Sequence, residues 1–144
     1  MNQNRTRAAF AVITLTALLT AGCGGSGTLS AKEFRSQANK LCAAANKDTD
    51  GYGAKITQTS SDADVTAAID KTVKRNERLA DDIDALKPPK AMADDVDSML
   101  TSVRAGIKEL DKITSVKDLT TFDPSTLSDA NTKARKLGLD TCAG

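Results

Sequence analysis

Apolar residues recur every three to four positions along most of the chain after residue 30, which is the spacing of one helix face. This spacing predicts four amphipathic α-helices. Their inward positions are, in order, Phe34, Ala38, Leu41, Cys42, Ala45, Tyr52 and Ile56; Val65, Ile69, Val73, Leu79, Ile83 and Leu86; Met92, Val96, Met99, Val103, Ile107, Leu110 and Ile113; and Leu127, Ala130, Ala134 and Leu137. No stretch alternates apolar and polar residues for long enough to predict a strand.

Polar and proline residues predict where the first two helices begin and end. Ser30 and Glu33 have the spacing of a capping box, in which each side chain binds the backbone of the other residue. Ser60-Ser61-Asp62 is a second start signal. Pro88 and Pro89 end the second helix, because proline has no backbone donor and restricts the preceding residue.

The third helix is predicted from about Lys90 to Ser115, and residues 116–122 are predicted as a connection. Asp123-Pro124 is typical of a helix start, and Gly138 is typical of a left-handed helix end with Leu139 packed against it. Short connections favour antiparallel neighbours. We therefore expect an all-α fold, an antiparallel up-down-up-down four-helix bundle closed by one disulfide.

The N-terminus has the features of an export signal. Arg5 and Arg7 precede twelve mostly apolar residues, 8–19, which are too few to span about 30 Å of hydrocarbon as a helix. Leu18-Leu19-Thr20-Ala21-Gly22-Cys23 resembles a bacterial lipobox, although Thr20 stands where that pattern usually has Leu. Cys23 is therefore the predicted lipid attachment site, since a diacylglycerol supplies the two chains that stable anchoring requires. An ordinary secretory signal is the alternative.

These signals predict three segments: a lipoprotein signal peptide (1–22), a lipidated cysteine with a Gly/Ser tether (23–29) and a helical domain (30–144). The predicted location is the outer face of the cell membrane. Removing residues 1–22 leaves 18 basic and 19 acidic residues, because Arg5 and Arg7 account for two of the 20 basic ones. This balance gives no electrostatic reason to expect nucleic acid binding.

Two cysteines, Cys42 and Cys142, remain besides Cys23, and such a pair in an exported protein usually forms a disulfide. The chain has no histidine, so the commonest general acid or base is missing. We expect no catalytic residue, no metal site and no cofactor.

Asn46, Asp48, Asp50 and Gly51 match positions 1, 3, 5 and 6 of a calcium loop. Thr57 stands at position 12, however, where such loops have a bidentate glutamate. The preferred interpretation is a polar stretch of the first helix, and weak calcium binding is the open alternative.

Six aspartates flank the proline pair: Asp81, Asp82, Asp84, Asp94, Asp95 and Asp97. A solvated acidic tip is the preferred interpretation, with a cation site or a docking point for a basic partner as alternatives. Asp94 and Asp95 also complement the positive end of the third helix dipole. Met92 and Met99 lie in the apolar stripe, which favours core packing over a ligand groove.

Three motifs together resemble small uncharacterised lipoproteins of actinobacteria. They are Phe34-x-x-Gln37-Ala38-Asn39-x-x-Cys42, Leu86-x-Pro88-Pro89 and Ala134-x-x-Leu137-Gly138-Leu139-x-x-Cys142. The resemblance implies a surface location and a cystine-closed helical domain, and it implies no activity.

The sequence therefore favours a non-catalytic surface module that binds a protein or an envelope component through a membrane-anchored domain. The alternative is a carrier of a small ligand or lipid, and its sign would be a cavity between the helices.

Metabolic labelling with an alkynyl palmitate tests the anchor. We expect the exported protein to carry the label and to sediment with membranes, and Cys23→Ser to lose the label. Cys142→Ser is the matched control, because it removes a cysteine outside the lipobox and should retain the label. A labelled Cys23→Ser protein would place the lipid on another residue.

Overall fold

The computed structural model describes residues 27–144, of which 77% are helical and none is in a strand. In chain order the α-helices are α1 (Ala31–Gly53), α2 (Asp62–Ala85), α3 (Ala93–Leu110), α4 (Val116–Thr121) and α5 (Ser128–Leu137). Single 3₁₀ turns lie at Lys90–Met92, Pro124–Leu127 and Asp140–Cys142. The all-helical prediction is confirmed. Cys23 and the export signal lie outside the described residues.

Serine caps begin α1 and α2 as the sequence predicts. The Ser30 hydroxyl accepts from the Glu33 backbone N–H at 3.3 Å, and the Glu33 carboxylate accepts from the Ser30 N–H at 3.0 Å. Ser61 and Asp64 make the same reciprocal pair, at 3.2 Å in each direction. Each box satisfies backbone donors that have no partner inside the helix. The packed domain begins just before the first box, because Leu29 packs against the core and donates its N–H to the Lys87 carbonyl at 3.2 Å.

The third helix ends earlier than predicted, and the predicted connection at 116–122 is wrong because it contains α4. Ser115 is extended, with φ −146°, and its hydroxyl accepts from the Asp118 N–H at 3.1 Å. The Asp118 carboxylate in turn accepts from the Thr114 N–H at 3.0 Å. This cap starts a new helix at Val116, so the apolar residues after Leu110 belong to a turn and a separate short element.

Asp123 and Pro124 begin a 3₁₀ turn that leads into α5, and the Asp123 carboxylate accepts from the Ser125 N–H at 2.8 Å. At the other end of α5, Gly138 has φ +74° and the Leu139 N–H bonds to the Ala134 carbonyl at 2.9 Å. This bond is the six-to-one bond of a Schellman motif, and the Leu139 side chain is fully buried. The predicted helix end is confirmed.

The core forms where α1 packs on α2, α2 on α3 and α3 on α5, with the C-terminal 3₁₀ turn against α1. Its buried members are Phe34, Ala38, Cys42, Ala80, Ile83, Met92, Val96, Met99, Leu100, Ala134, Leu137, Leu139 and Ala143. Both methionines are buried in this core, and Met99 also lines the cavity described below. None of the buried residues in the described part is polar or charged. Within residues 27–144, no helix has both the length and the apolar character needed to cross a membrane.

Cys42 and Cys142 form the predicted disulfide, with their Cα atoms 5.0 Å apart and 100 residues between them. The bridge joins the middle of α1 to the last turn of the chain. It therefore encloses almost the whole helical domain in one covalent loop.

Reduction of this bridge is expected to lower the free energy of unfolding by about 2–5 kcal/mol, because the unfolded chain regains the entropy of a loop of that length. Urea unfolding of oxidised and reduced protein measures the difference. The double variant Cys42→Ala/Cys142→Ala serves as the control, since reductant should not change its stability. Equal stability of oxidised and reduced wild type would contradict the expectation.

Candidate functional site

One face of α1 holds the C-terminal segment through side chains spaced four, three and four residues apart: Arg35, Asn39, Cys42 and Asn46. We call these four residues together with residues 137–142 the clasp. Cys42 supplies its covalent link, and the other three residues bind the backbone of the segment. The spacing matches a helix face, so the clasp is a direct product of α1 geometry.

Asn39 makes the most complete contact of the clasp. Its amide nitrogen donates to the Gly138 carbonyl at 3.2 Å, and its oxygen accepts from the Thr141 N–H at 3.1 Å. Arg35 donates through Nε to the Leu137 carbonyl at 2.7 Å, which satisfies one of the last carbonyls of α5. Asn46 donates to the Thr141 carbonyl at 2.9 Å.

Gly138 is required at the clasp for two reasons. Its positive φ of 74° is a conformation that residues with a Cβ adopt at a cost. A Cβ there would also lie 3.0 Å from the Arg35 Nε. The sequence motifs that end at Cys42 and Cys142 therefore meet in one structural contact.

A cavity of about 150 Å³ lies behind the clasp and is the candidate binding site. All four long helices contribute to it. Its apolar lining includes Leu79, Ile83, Met99, Leu100, Val103 and Ile107. Small side chains of Ala80, Ala130 and Ala134 face the same space, and both disulfide cysteines form part of the wall. Half-buried residues line the cavity beside buried ones, so it opens to solvent.

Three asparagines are the only polar residues among those that line the cavity in the described chain: Asn46 on α1, Asn76 on α2 and Asn131 on α5. Asn76 and Asn131 are half-buried. Sequence analysis did not identify them. The signal was present, because Asn76 lies three residues from both Val73 and Leu79, and Asn131 lies three residues before Ala134, on otherwise apolar faces.

Two cations close in sequence to the cavity asparagines, Arg75 and Lys133, are engaged in ion pairs. Arg75 binds Asp48 at 2.8 Å, which links α2 to α1. Lys133 binds Asp129 at 2.7 Å and also donates to the Ser102 hydroxyl at 2.7 Å, which links α5 to α3. No charged side chain lines the cavity in the part of the chain that the structure describes.

The calcium-loop segment is a continuous part of α1, which confirms the helical interpretation. Asn46 and Asp48 are two positions apart, so a helix points them in different directions. Asn46 binds the C-terminal segment and Asp48 binds Arg75. Within residues 27–144, no group of three or more cysteine, aspartate or glutamate side chains is arranged to hold a metal ion.

The six aspartates around the proline pair are all exposed, as expected for a solvated tip. Asp94 and Asp95 lie in the first turn of α3, where the helix dipole favours them. Arg104 on α3 approaches Asp81 at 3.3 Å and Asp84 at 3.4 Å. Exposed pairs of this kind contribute little to stability.

Carboxyl groups with a shifted pKa are explained by helix caps and local hydrogen bonds. The Ser30 side chain and backbone lower the pKa of Glu33, and Ser61 does the same to Asp64. Hydrogen bonds from the Thr114 backbone and Ser115 lower the pKa of Asp118. The Lys133 ammonium, followed by the Ser102 hydroxyl, lowers the pKa of Asp129. These shifts stabilise the ionised form, whereas a general acid at neutral pH needs a raised value.

Comparison with protein-family models, curated proteins and solved structures finds no match to this chain. The site is therefore interpreted from its own geometry.

Asn39→Leu is expected to lower the free energy of unfolding by about 1–3 kcal/mol, because it leaves two backbone groups of the clasp without their partner. Gln37→Leu is the matched control, since this exposed amide lies on the same helix outside the clasp. Its effect should stay within about 0.5 kcal/mol. Urea unfolding measures both variants, and equal effects would remove the special role of Asn39.

Proposed function

We propose that this chain is a lipid-anchored, non-catalytic binding module on the outer face of the cell membrane. The signal that ends at Cys23 supports the anchor. The absence of histidine from the sequence supports a role without acid–base catalysis. Membership of the small actinobacterial lipoproteins stays a prediction from the three motifs.

The cavity is the observation that favours a small ligand over a protein or an envelope component. The sequence alone favoured a protein or an envelope component, and a carrier of small ligands was the alternative whose sign would be such a cavity. The space between the helices now gives the carrier the stronger support. A volume of about 150 Å³ is well below the roughly 300–1,000 Å³ of pockets for drug-sized ligands. The proposed ligand is therefore a small molecule, because a whole lipid exceeds this space.

The antiparallel up-down-up-down arrangement of the long helices belongs to the same proposal. Leu29, just before α1, bonds to Lys87, just after α2, at 3.2 Å. Thr66, near the start of α2, donates to the Thr114 carbonyl beyond α3 at 3.2 Å. Both contacts support neighbours that run in opposite directions. In this arrangement the cavity lies about 17 Å along α1 from its start at Ala31, at 1.5 Å per residue to Cys42.

Ala130→Leu tests the proposed function, because the larger side chain enters the cavity. Full-length protein purified from membranes is extracted with organic solvent, and bound small molecules are measured by mass spectrometry. We expect one recurrent species with the wild type and its loss with Ala130→Leu. Ala105→Leu is the matched control, since this exposed alanine on α3 lies outside the cavity.

Circular dichroism establishes that the variants fold, and Ala130→Val provides a smaller change if Ala130→Leu does not. Cross-linking on intact cells runs in parallel. A recurrent protein partner that survives Ala130→Leu, together with no extracted species from the wild type, would overturn the small-ligand function in favour of the protein-binding module.

A further inference from the structure

We propose that the cavity selects a small uncharged amphiphile, with an apolar body about the size of a benzene ring and one neutral hydrogen-bonding head. This inference rests on the proposed function, because it names the class of ligand that the cavity takes. Hydroxyl and amide groups are the heads that fit.

The volume limits the body of the ligand. A cavity of about 150 Å³ with an aliphatic lining is the size that accepts benzene in proteins. Ile83, Met99 and Leu100 are almost completely buried, so the inner end of the space is apolar. Met99 is unbranched and polarisable, so it can adapt to either a ring or a short alkyl chain.

The lining excludes a charged head. An ion placed between the half-buried Asn76 and Asn131 would lose part of its hydration without meeting an opposite charge, which is unfavourable. Arg75 and Lys133, the cations closest in sequence to Asn76 and Asn131, already bind Asp48 and Asp129. These two cations are therefore already paired and do not offer a free positive charge to an anionic head.

The asparagines supply the contacts for a neutral head. No hydrogen bond within residues 27–144 engages the side-chain amides of Asn76 and Asn131, although both residues are half-buried. Each amide offers two donor hydrogens and one acceptor oxygen. The Asn46 side-chain nitrogen donates to the Thr141 carbonyl, and the Asn46 side-chain oxygen is a further acceptor. A hydroxyl or amide head both donates and accepts, so it can form hydrogen bonds with these side-chain amides. A purely apolar ligand forms no hydrogen bond with them.

Methionine methyl resonances provide a readout specific to the cavity. The chain has three methionines, of which Met99 lines the cavity, Met92 is buried in the core outside it and Met1 belongs to the predicted signal. Full-length protein labelled with ¹³C at the methionine methyls is placed in lipid nanodiscs. Met92→Leu assigns the two core resonances.

Four probes share one ring and differ only at the head: benzyl alcohol, toluene, benzoate and benzylammonium. We expect benzyl alcohol to shift the Met99 resonance saturably while the Met92 resonance moves little. Its affinity should exceed that of toluene about 3- to 10-fold, the worth of one or two net hydrogen bonds. Benzoate and benzylammonium should not saturate the shift.

Asn131→Leu should bring the affinity for benzyl alcohol closer to that for toluene, because it removes one of the head contacts and keeps an apolar side chain. Asn76→Leu gives an independent second test. Gln37→Leu is the matched control, since it removes an exposed amide outside the cavity and should retain the wild-type ratio.

The outcomes separate this inference from the proposed function. Toluene that binds as tightly as benzyl alcohol, or saturable binding of benzoate at Met99, would overturn selection of a neutral head while the cavity remained a binding site. If no probe shifts Met99 and solvent extraction also yields no recurrent species, both the inference and the small-ligand function fail.

Discussion

The clasp between α1 and the C-terminal segment is the contact on which the rest of this fold depends. Alanine supplies many of the core positions, and Phe34 is the one aromatic residue among the buried core of the described chain. Small side chains bury little apolar area each, so hydrophobic burial gives less stability per residue than in an aromatic-rich core. A covalent bridge across 100 residues and the hydrogen bonds of Arg35, Asn39 and Asn46 compensate for this deficit.

The cavity has the same physical origin. Where α2, α3 and α5 approach each other, Ala80, Ala130 and Ala134 present methyl groups in positions that leucine would fill in a denser core. Protein interiors normally close such gaps, because each unfilled volume loses dispersion contacts on its walls. The disulfide and the clasp tie α1 to the end of α5 and the segment that follows it. This link limits how far these two helices can move to close the gap.

Local chemistry made much of the fold predictable. The capping boxes at Ser30 and Ser61 and the glycine end at Gly138 were found because each depends on residues within a few positions of one another. The disulfide followed from an even pair of cysteines in a chain predicted to be exported. The element α4 was missed although Ser115 and Asp118 repeat the spacing of Ser61 and Asp64. Ser115 was predicted as the end of the third helix, so its role as the cap of a new helix was not recognised.

The candidate site was much less predictable, for a physical reason. A cavity is a shortfall of volume among side chains from several helices, so no local pattern encodes it. Asn76 and Asn131 illustrate the limit. In the sequence, each is an isolated polar residue on an apolar helix face. Only the packing of α2 against α3, and of α3 against α5, brings both residues to the same cavity.

Asn46 and the two cysteines belong to the clasp and to the cavity wall at once. A ligand that binds only the folded state stabilises that state by an amount that grows with its concentration relative to its dissociation constant. Such a ligand would thus stabilise the same contact that closes the fold. Residues fixed by the structural requirements of the clasp would then also shape the binding site. Under the proposed function, the structural motifs therefore also shape the binding site, because the cavity wall and the closure of the domain share Cys42, Asn46 and Cys142.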